Sequence, residues 1–200
     1  AAGAPLGAVC CKAQQAGLAG LAFAFGIPGT VGGAVYMNAG AYGGELKQVL
    51  RRVTFLDRAL RLDSLPVQEL ALGYRTSRFE TEGGVILEAE FSLAPGDPAA
   101  IEAEMQELMT RRREKQPLEL PSAGSSFKRP QGAFAGALIE QAGLRGFAVG
   151  GAAVSTKHCG FVVNTGGATC ADVVALTEEV ARIVYEKTGY RLEREIRVVQ

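Results

Sequence analysis

Hydrophobic and polar residues alternate in three stretches of the chain, a pattern typical of strands with one buried face. The clearest stretch is 87–93, where leucine, alanine and phenylalanine alternate with glutamate and serine. A second stretch, 53–62, is interrupted by Asp57-Arg58, which predicts a β-hairpin with its turn at that dipeptide. The third stretch, 192–198, predicts a strand near the end of the sequence.

Four other stretches carry apolar residues three and four positions apart, which predicts helices. They cover residues 4–15, 98–115, 134–141 and the stretch from Thr169 to Gly189. Thr169 and Asp172 form a capping box at the start of the last helix, and glycines follow the ends of three helices. Brief strands are predicted at 152–155 and 160–164. Helices and strands therefore interleave in both halves, which predicts an α+β or α/β protein, and Pro117 and Pro121 indicate a linker between two parts.

Composition and charge narrow the classes of function. Lysine plus arginine and aspartate plus glutamate both total 21, so no net charge favours nucleic acid or an acidic membrane surface. With four cysteines lacking C-x-x-C spacing and one histidine, we expect neither a metal site nor a disulfide framework, and a reduced cytosolic compartment. The uncharged run 18–37 is long enough to span a membrane, but its five glycines and Pro28 argue against a transmembrane helix.

Two segments carry the candidate chemistry. The glycine-rich segment 26–45 exposes backbone N–H groups and permits close approach, as a phosphate or extended cofactor requires; the alternative is a closely packed structural loop. It contains neither a P-loop nor a Rossmann fingerprint. The segment 121–130 places adjacent hydroxyls beside Lys128 and Arg129, which suits proton donation and anion binding, or simply a turn.

Some single residues have both a plain and a functional interpretation. Arg75 and Glu195 would each be read alone as surface charge, and His158 as a structural histidine. The basic run 111–115 is expected to be a solvated helix end, with contact to a phosphate or carboxylate as the alternative.

Several motifs together resemble one family. Residues 26–33 (GIPGTVGG), 37–45 (MNAGAYGGE), Tyr74-Arg75, 123–130 (AGSSFKRP) and 154–160 (VSTKHCG) occur in the order found in the UDP-N-acetylenolpyruvoylglucosamine reductase family. The short form of 74–79 and the compact end of the chain are similar to the shorter of that family's two types.

The resemblance implies a fold and a reaction. Residues 1–109 would be the latter part of a vanillyl-alcohol-oxidase-type FAD-binding domain, and 110–200 a smaller α+β substrate-binding domain. In this family NADPH reduces FAD, and the flavin passes hydride to UDP-N-acetylglucosamine enolpyruvate, giving UDP-N-acetylmuramate for peptidoglycan synthesis in the cytoplasm. No nucleic acid, membrane or metal takes part.

The resemblance also implies roles for individual residues. Arg75 and Glu195 would polarise the carboxylate and stabilise the enolate, and Ser125, the first serine of its motif, would donate the proton. Tyr74, Lys128 and Arg129 would contact the substrate. The residues that would line the flavin are Gly29, Thr30, Gly32, Gly33, Asn38, Gly40 and Ala41.

One departure from the family pattern concerns the beginning of the chain. The family carries a Gly-Gly-Gly-Ser-Asn-type loop that holds the FAD pyrophosphate, and this sequence has no such run and begins at Ala1. We therefore expect an N-terminally truncated chain with weakened cofactor retention. Two alternatives stay open: another flavin oxidoreductase of the same superfamily, and a non-catalytic nucleotide-sugar-binding module.

Overall fold

A computed structural model describes residues 1–199 of the chain. The chain divides into two units, Ala1–Arg112 (unit 1) and Arg113–Gln200 (unit 2), each with its own hydrophobic core. Both units combine helices with antiparallel strands, so the predicted α+β class is confirmed. Assignment of cofactor and substrate binding to separate domains stays a prediction.

Six helices are present in the described residues. They are α1 (Leu6–Gln15), α2 (Val31–Tyr36), α3 (Arg78–Glu82), α4 (Pro98–Lys115), α5 (Ala135–Gln141) and α6 (Cys170–Thr188). Short 3-10 turns cover Ala22–Ala24, Leu46–Gln48 and Val67–Glu69. The structure thus confirms the four predicted helices, and adds α2 and α3, which are too short to show a helical period.

Eleven short strands complete the described part of the chain. They are β1 (Leu18–Ala19), β2 (Gly40–Ala41), β3 (Gly44–Glu45), β4 (Leu50–Leu56), β5 (Leu62–Pro66), β6 (Val85–Phe91), β7 (Ala94–Pro95), β8 (Ser122–Ser125), β9 (Ala148–Val149), β10 (Ala152–Val154) and β11 (Phe161–Asn164).

Unit 1 is organised around a three-stranded sheet of order β5-β4-β6, with two-stranded pairs β1-β7 and β2-β3 beside it. The central strand β4 buries Val53 and Phe55, and the Phe55 ring meets Phe79 of α3 edge-on, with ring centroids 5.1 Å apart. The predicted hairpin is confirmed, because β4 and β5 pair antiparallel from Leu56 and Leu62 outward. In the turn, the carboxylate of Asp57 accepts hydrogen bonds from the main-chain N–H groups of Ala59 and Arg61.

Unit 2 contains a four-stranded antiparallel sheet of order β8-β11-β10-β9. Its core includes Ile139 of α5 and Leu176 and Val180 of α6, all fully buried. The capping box of α6 is present: Thr169 Oγ1 accepts from Asp172 N at 3.1 Å, and Asp172 Oδ2 accepts from Thr169 N at 2.9 Å.

Three details of the strand predictions were wrong. Leu60 lies in the hairpin turn, with φ 60° and 73% of its surface exposed. Leu87 is the extra residue of a β-bulge, since Thr54 pairs with Glu88 and Phe55 with Ile86, so Leu87 leaves the buried face. The stretch 192–198 forms only an isolated bridge between Arg194 and Phe127 instead of a strand.

The uncharged run 18–37 folds as short elements separated by turns. Among residues 1–199, no helix combines the length and apolar character that crossing a membrane requires.

Candidate active site

The glycine-rich segment of unit 1 folds into α2 followed by the β2-β3 hairpin. Thr30 caps α2, its hydroxyl accepting a hydrogen bond from Gly33 N at 3.3 Å. In the hairpin Gly40 pairs with Glu45 and Ala41 with Gly44, while Tyr42 and Gly43 turn the chain with φ values of 53° and 85°. Positive φ at both central residues is what a type I′ hairpin turn requires.

The glycines predicted to line a flavin differ in why the chain needs them. A Cβ added to Gly40 would lie 2.6 Å from the carbonyl oxygen of Gly44, and one added to Gly32 would lie 3.0 Å from Ala2 Cβ. Packing within the protein therefore explains both. At Gly29 an added Cβ would meet nothing within 4 Å, and it is the φ of 112° that favours glycine there. Gly29, Thr30 and Gly33 are exposed. These three residues present accessible backbone with little side chain, which fits a large planar cofactor.

Asn38 follows α2 with φ 42° and is only 1% exposed. Its Nδ2 donates to Glu45 Oε2 at 2.8 Å and to the carbonyl oxygen of Gly73 at 3.0 Å. Its Oδ1 accepts from the main-chain N–H of Lys47 at 2.9 Å. Both amide hydrogens of Asn38 are thus used within the protein.

Arg75 lies at the third position of a tight turn, Gly73 to Thr76, in which Gly73 N donates to Thr76 O at 3.1 Å. Its φ of 56° is in the left-handed region that non-glycine residues rarely adopt. The guanidinium donates from NH2 to the carbonyl oxygen of Gly40 at 3.1 Å and lies 5.2 Å from the centroid of the half-exposed Tyr74 ring. Strained backbone of this kind concentrates at functional sites.

The basic end of α4 is only partly solvated. Arg112 is 8% exposed, and its guanidinium carbon lies 5.6 Å from the centroid of the Tyr42 ring. The expectation of a solvated helix end was therefore wrong for Arg112. The spacing contained the signal, because Arg112 continues the series Ile101, Met105 and Leu108 on the buried face of α4.

In unit 2, the two adjacent serines of the 123–130 motif have opposite environments. Ser125 is exposed, and its Oγ makes one long hydrogen bond, 3.4 Å, to Phe127 O. Ser126 is 1% exposed; its Oγ accepts from Val162 N at 3.0 Å, and its main-chain N donates to Gly160 O at 2.8 Å. Of the pair, only Ser125 offers an accessible hydroxyl.

Glu195 is held beside this serine pair by the main chain. Its N–H donates to Ser126 O at 2.9 Å, and two residues away Lys128 N donates to Glu193 O at 2.8 Å. The structure therefore brings Ser125 and Glu195, which are 70 positions apart in the sequence, onto neighbouring stretches of backbone.

The predicted substrate-contacting cations lie on the same stretch. The ammonium of Lys128 pairs with the Glu193 carboxylate at 2.5 Å, and the Arg129 guanidinium carbon lies 4.0 Å from the centroid of the exposed Phe134 ring.

His158 lies in the turn that joins β10 to β11. Its Nδ1 accepts from Gly160 N at 3.0 Å, and its ring meets Phe161 edge-on at 5.0 Å. Burial lowers the pKa of His158 below the usual 6.5, which keeps the ring neutral and able to accept that hydrogen bond. This geometry agrees with the structural interpretation of His158.

Within residues 1–199, no three His, Cys, Asp or Glu side chains group in a way that could hold a metal ion.

Comparison with protein families and known proteins gives consistent matches. Residues 1–59 match the FAD binding domain family, and residues 116–199 match the family described as UDP-N-acetylenolpyruvoylglucosamine reductase, C-terminal domain. The chain is similar to the UDP-N-acetylenolpyruvoylglucosamine reductase of Lachnoclostridium phytofermentans, 52% identical over 99% of this chain and 64% of that protein. It is 51% identical to the same-named protein of Geobacillus kaustophilus, over 98% of this chain and 65% of that protein.

A solved structure supports the same relationship. The crystal structure of the UDP-N-acetylenolpyruvylglucosamine reductase from Thermus caldophilus superposes with a TM-score of 0.85 at 36% identity, covering 98% of this chain and 70% of that one. The chain spans just under two thirds of the length of the curated relatives that it matches. The expected resemblance is confirmed, and the chain belongs to the UDP-N-acetylenolpyruvoylglucosamine reductase family.

Proposed function

We propose that the protein containing this chain reduces UDP-N-acetylglucosamine enolpyruvate to UDP-N-acetylmuramate with electrons from NADPH, using FAD, in peptidoglycan precursor synthesis. Membership of the family supports this proposal, and the structural observation that carries it is the serine pair of unit 2. An accessible Ser125 hydroxyl stands beside a buried Ser126 whose carbonyl holds the main chain of Glu195.

FAD, when bound and reduced by NADPH, would supply the hydride that this reduction requires. Hydride addition to an enolpyruvyl methylene leaves negative charge on the neighbouring carbon and its carboxylate, and that carbon must then be protonated. Ser125 Oγ is the group we assign to this proton transfer, because the residue is exposed and its hydroxyl makes a long hydrogen bond, 3.4 Å, to Phe127 O.

Arg75 and Glu195 are assigned to the developing charge. A guanidinium stabilises a carboxylate or enolate oxygen through charge-assisted hydrogen bonds, and it is most effective when it is held in place before the reaction. The Arg75 turn satisfies that condition, since the side chain is anchored on the carbonyl oxygen of Gly40. The main chain of Glu195 is fixed by its hydrogen bond to Ser126 O. Its carboxyl group would act on the enolate by donating a hydrogen bond as the acid, since an ionised carboxylate would repel the developing charge.

The cofactor and substrate residues follow from the same proposal. Gly29, Thr30 and Gly33 are assigned to the flavin because their backbone is accessible. Gly32, Gly40 and Ala41 are assigned to the backbone that supports it. Tyr74, Lys128 and Arg129 are assigned to the nucleotide-sugar substrate, for which two cations and an aromatic ring are suitable partners.

NADPH as electron donor, operation without a metal ion and a cytoplasmic location are parts of the proposal. The cysteine spacing supports a reducing compartment, because the four cysteines show neither a C-x-x-C motif nor the pattern of a disulfide framework.

The test is to reduce the FAD-loaded protein with NADPH under anaerobic conditions and then to add UDP-N-acetylglucosamine enolpyruvate. The proposal expects stoichiometric recovery of oxidised flavin absorbance together with UDP-N-acetylmuramate. Recovery with oxygen alone would indicate another flavin oxidoreductase. Binding of UDP-sugar without any flavin chemistry would indicate a binding module and would contradict the proposal.

A further inference from the structure

Asn38 and Arg75 share an unusual backbone conformation. Both have φ in the left-handed region, 42° and 56°, although neither is a glycine. Asparagine adopts this region more readily than most residues, whereas arginine does so rarely. Residues in such conformations persist only when the surrounding structure holds them there. The contacts that hold the Arg75 backbone in this conformation therefore help to set the direction of its side chain.

The amide of Asn38 is one of those contacts. Nδ2 donates to Gly73 O, the first carbonyl of the Arg75 turn, at 3.0 Å, whereas the turn's own bond from Thr76 N to the same oxygen is 3.5 Å long. The second amide hydrogen is directed to Glu45 Oε2 at 2.8 Å, and Oδ1 accepts from Lys47 N. The orientation of the amide is fixed by these partners, because the reverse orientation would direct Oδ1 at a carboxylate and a carbonyl.

A second bond returns from the turn to the segment that begins at Asn38. Arg75 NH2 donates to Gly40 O at 3.1 Å, while Asn38 donates to Gly73 O, two residues before Arg75. The two segments are thus joined by one hydrogen bond in each direction. Asn38 is 1% exposed, so its amide is buried within the protein and does not face solvent.

We propose that Asn38 is a positioning residue for Arg75: its buried amide fixes the Gly73–Thr76 turn and so sets the direction in which the guanidinium is presented. This inference rests on the proposed function, in which Arg75 acts on the substrate carboxylate. The family resemblance implied that Asn38 lines the flavin. In the present proposal, its amide instead acts through Arg75.

The test compares Asn38→Asp with the parent protein. Aspartate has the same shape, tolerates positive φ and keeps an acceptor for Lys47 N, but it loses both donated hydrogen bonds and faces the Glu45 carboxylate. In the FAD-loaded protein, we expect NADPH to reduce the flavin at a near-normal rate. Reoxidation by the enolpyruvyl substrate should slow about a hundredfold, the effect of misplacing a catalytic group by about 1 Å.

A measurement without cofactor accompanies the kinetics. Hydrogen–deuterium exchange of the peptide covering 71–77 in the 200-residue chain should accelerate roughly tenfold in Asn38→Asp, as expected when one hydrogen bond that limits local opening is lost. Asn38→Gly removes the amide and relieves the positive-φ strain, which offsets part of the cost of leaving Lys47 N without its acceptor. It should show the same acceleration.

Lys47→Ala is the matched control, because Lys47 gives Asn38 only its main-chain N–H; its side chain pairs with Glu45 at 2.8 Å. This variant should match the parent in both measurements. Parent-like exchange of 71–77 in both Asn38 variants would overturn the proposal. Equal loss of both half-reactions, or loss of FAD, would also overturn it by showing that Asn38 acts on the flavin. A parent that fails to reoxidise with substrate would instead defeat the proposed function, and exchange would still decide the role of Asn38.

Discussion

Replacing Ser126 with alanine should destabilise the fold, whereas replacing Ser125 should not. Ser126 is 1% exposed, and its Oγ is the acceptor for the buried Val162 N–H at 3.0 Å. Alanine would leave that N–H buried without a partner, which costs about 1–3 kcal/mol. The main-chain bonds of Ser126 to Gly160 and Glu195 do not depend on the side chain, so the chain should still fold.

The assay has a global and a local readout. Urea unfolding followed by far-ultraviolet circular dichroism gives the change in unfolding free energy, and NMR hydrogen exchange reports directly on the Val162 amide. Ser126→Cys is the conservative variant, because sulfur retains a weak acceptor and should restore part of the loss. Ser125→Ala is the matched control, and as an exposed position it should stay within about 0.5 kcal/mol of the parent.

The reasoning would be refuted if Ser125→Ala lost as much stability as Ser126→Ala, or if Val162 exchanged at the parent rate in Ser126→Ala. Either result would mean that the two serines do not divide the structural and chemical roles between them.

Two further predictions concern pH and packing. Because burial lowers the pKa of His158 in the folded chain, the unfolded chain binds that proton more readily, so unfolding free energy should fall as pH drops below 6.5. In His158→Asn, whose amide oxygen can still accept from Gly160 N, urea titrations should show a weaker pH dependence; an unchanged slope would contradict the assignment. Gly40→Ala should lose about 1–3 kcal/mol in thermal or urea unfolding, because its Cβ would lie 2.6 Å from Gly44 O; parent-like stability would show that the β2-β3 hairpin adjusts freely.

Elements with a strong local signal could be predicted from the sequence. The capping box at Thr169 and the apolar series along α6 fix that helix through neighbouring residues alone, and the structure agrees. The bulge at Leu87 could not be predicted, because it arises from the register of β6 against β4, and alternation within one strand carries no information on pairing.

The end of the chain shows a related limit. Residues 192–198 alternate as a strand does, yet their main chain pairs with residues 126–128 at only a few positions. Alternation reports which side chains are buried; the number of ladder hydrogen bonds depends on how long a partner strand runs alongside.

The candidate site likewise contains residues that the sequence identified and contacts that it did not reveal. The motifs singled out Arg75, Ser125 and Glu195, but their spacing did not reveal that Ser126 is buried or that its carbonyl holds Glu195. The role of the Asn38 amide was likewise hidden, since its partner Gly73 lies 35 positions away in the sequence. Contacts of this length depend on tertiary packing.

The central claim is that Ser125 delivers the proton in the reduction, and stopped-flow analysis of Ser125→Ala in the FAD-loaded protein tests it most directly. We expect NADPH to bleach the flavin at a near-normal rate. Reoxidation by the enolpyruvyl substrate should slow by about a hundredfold to ten-thousandfold, the usual contribution of a general acid. If both half-reactions stayed within about threefold of the parent, well below that range, Ser125 would not be the proton donor.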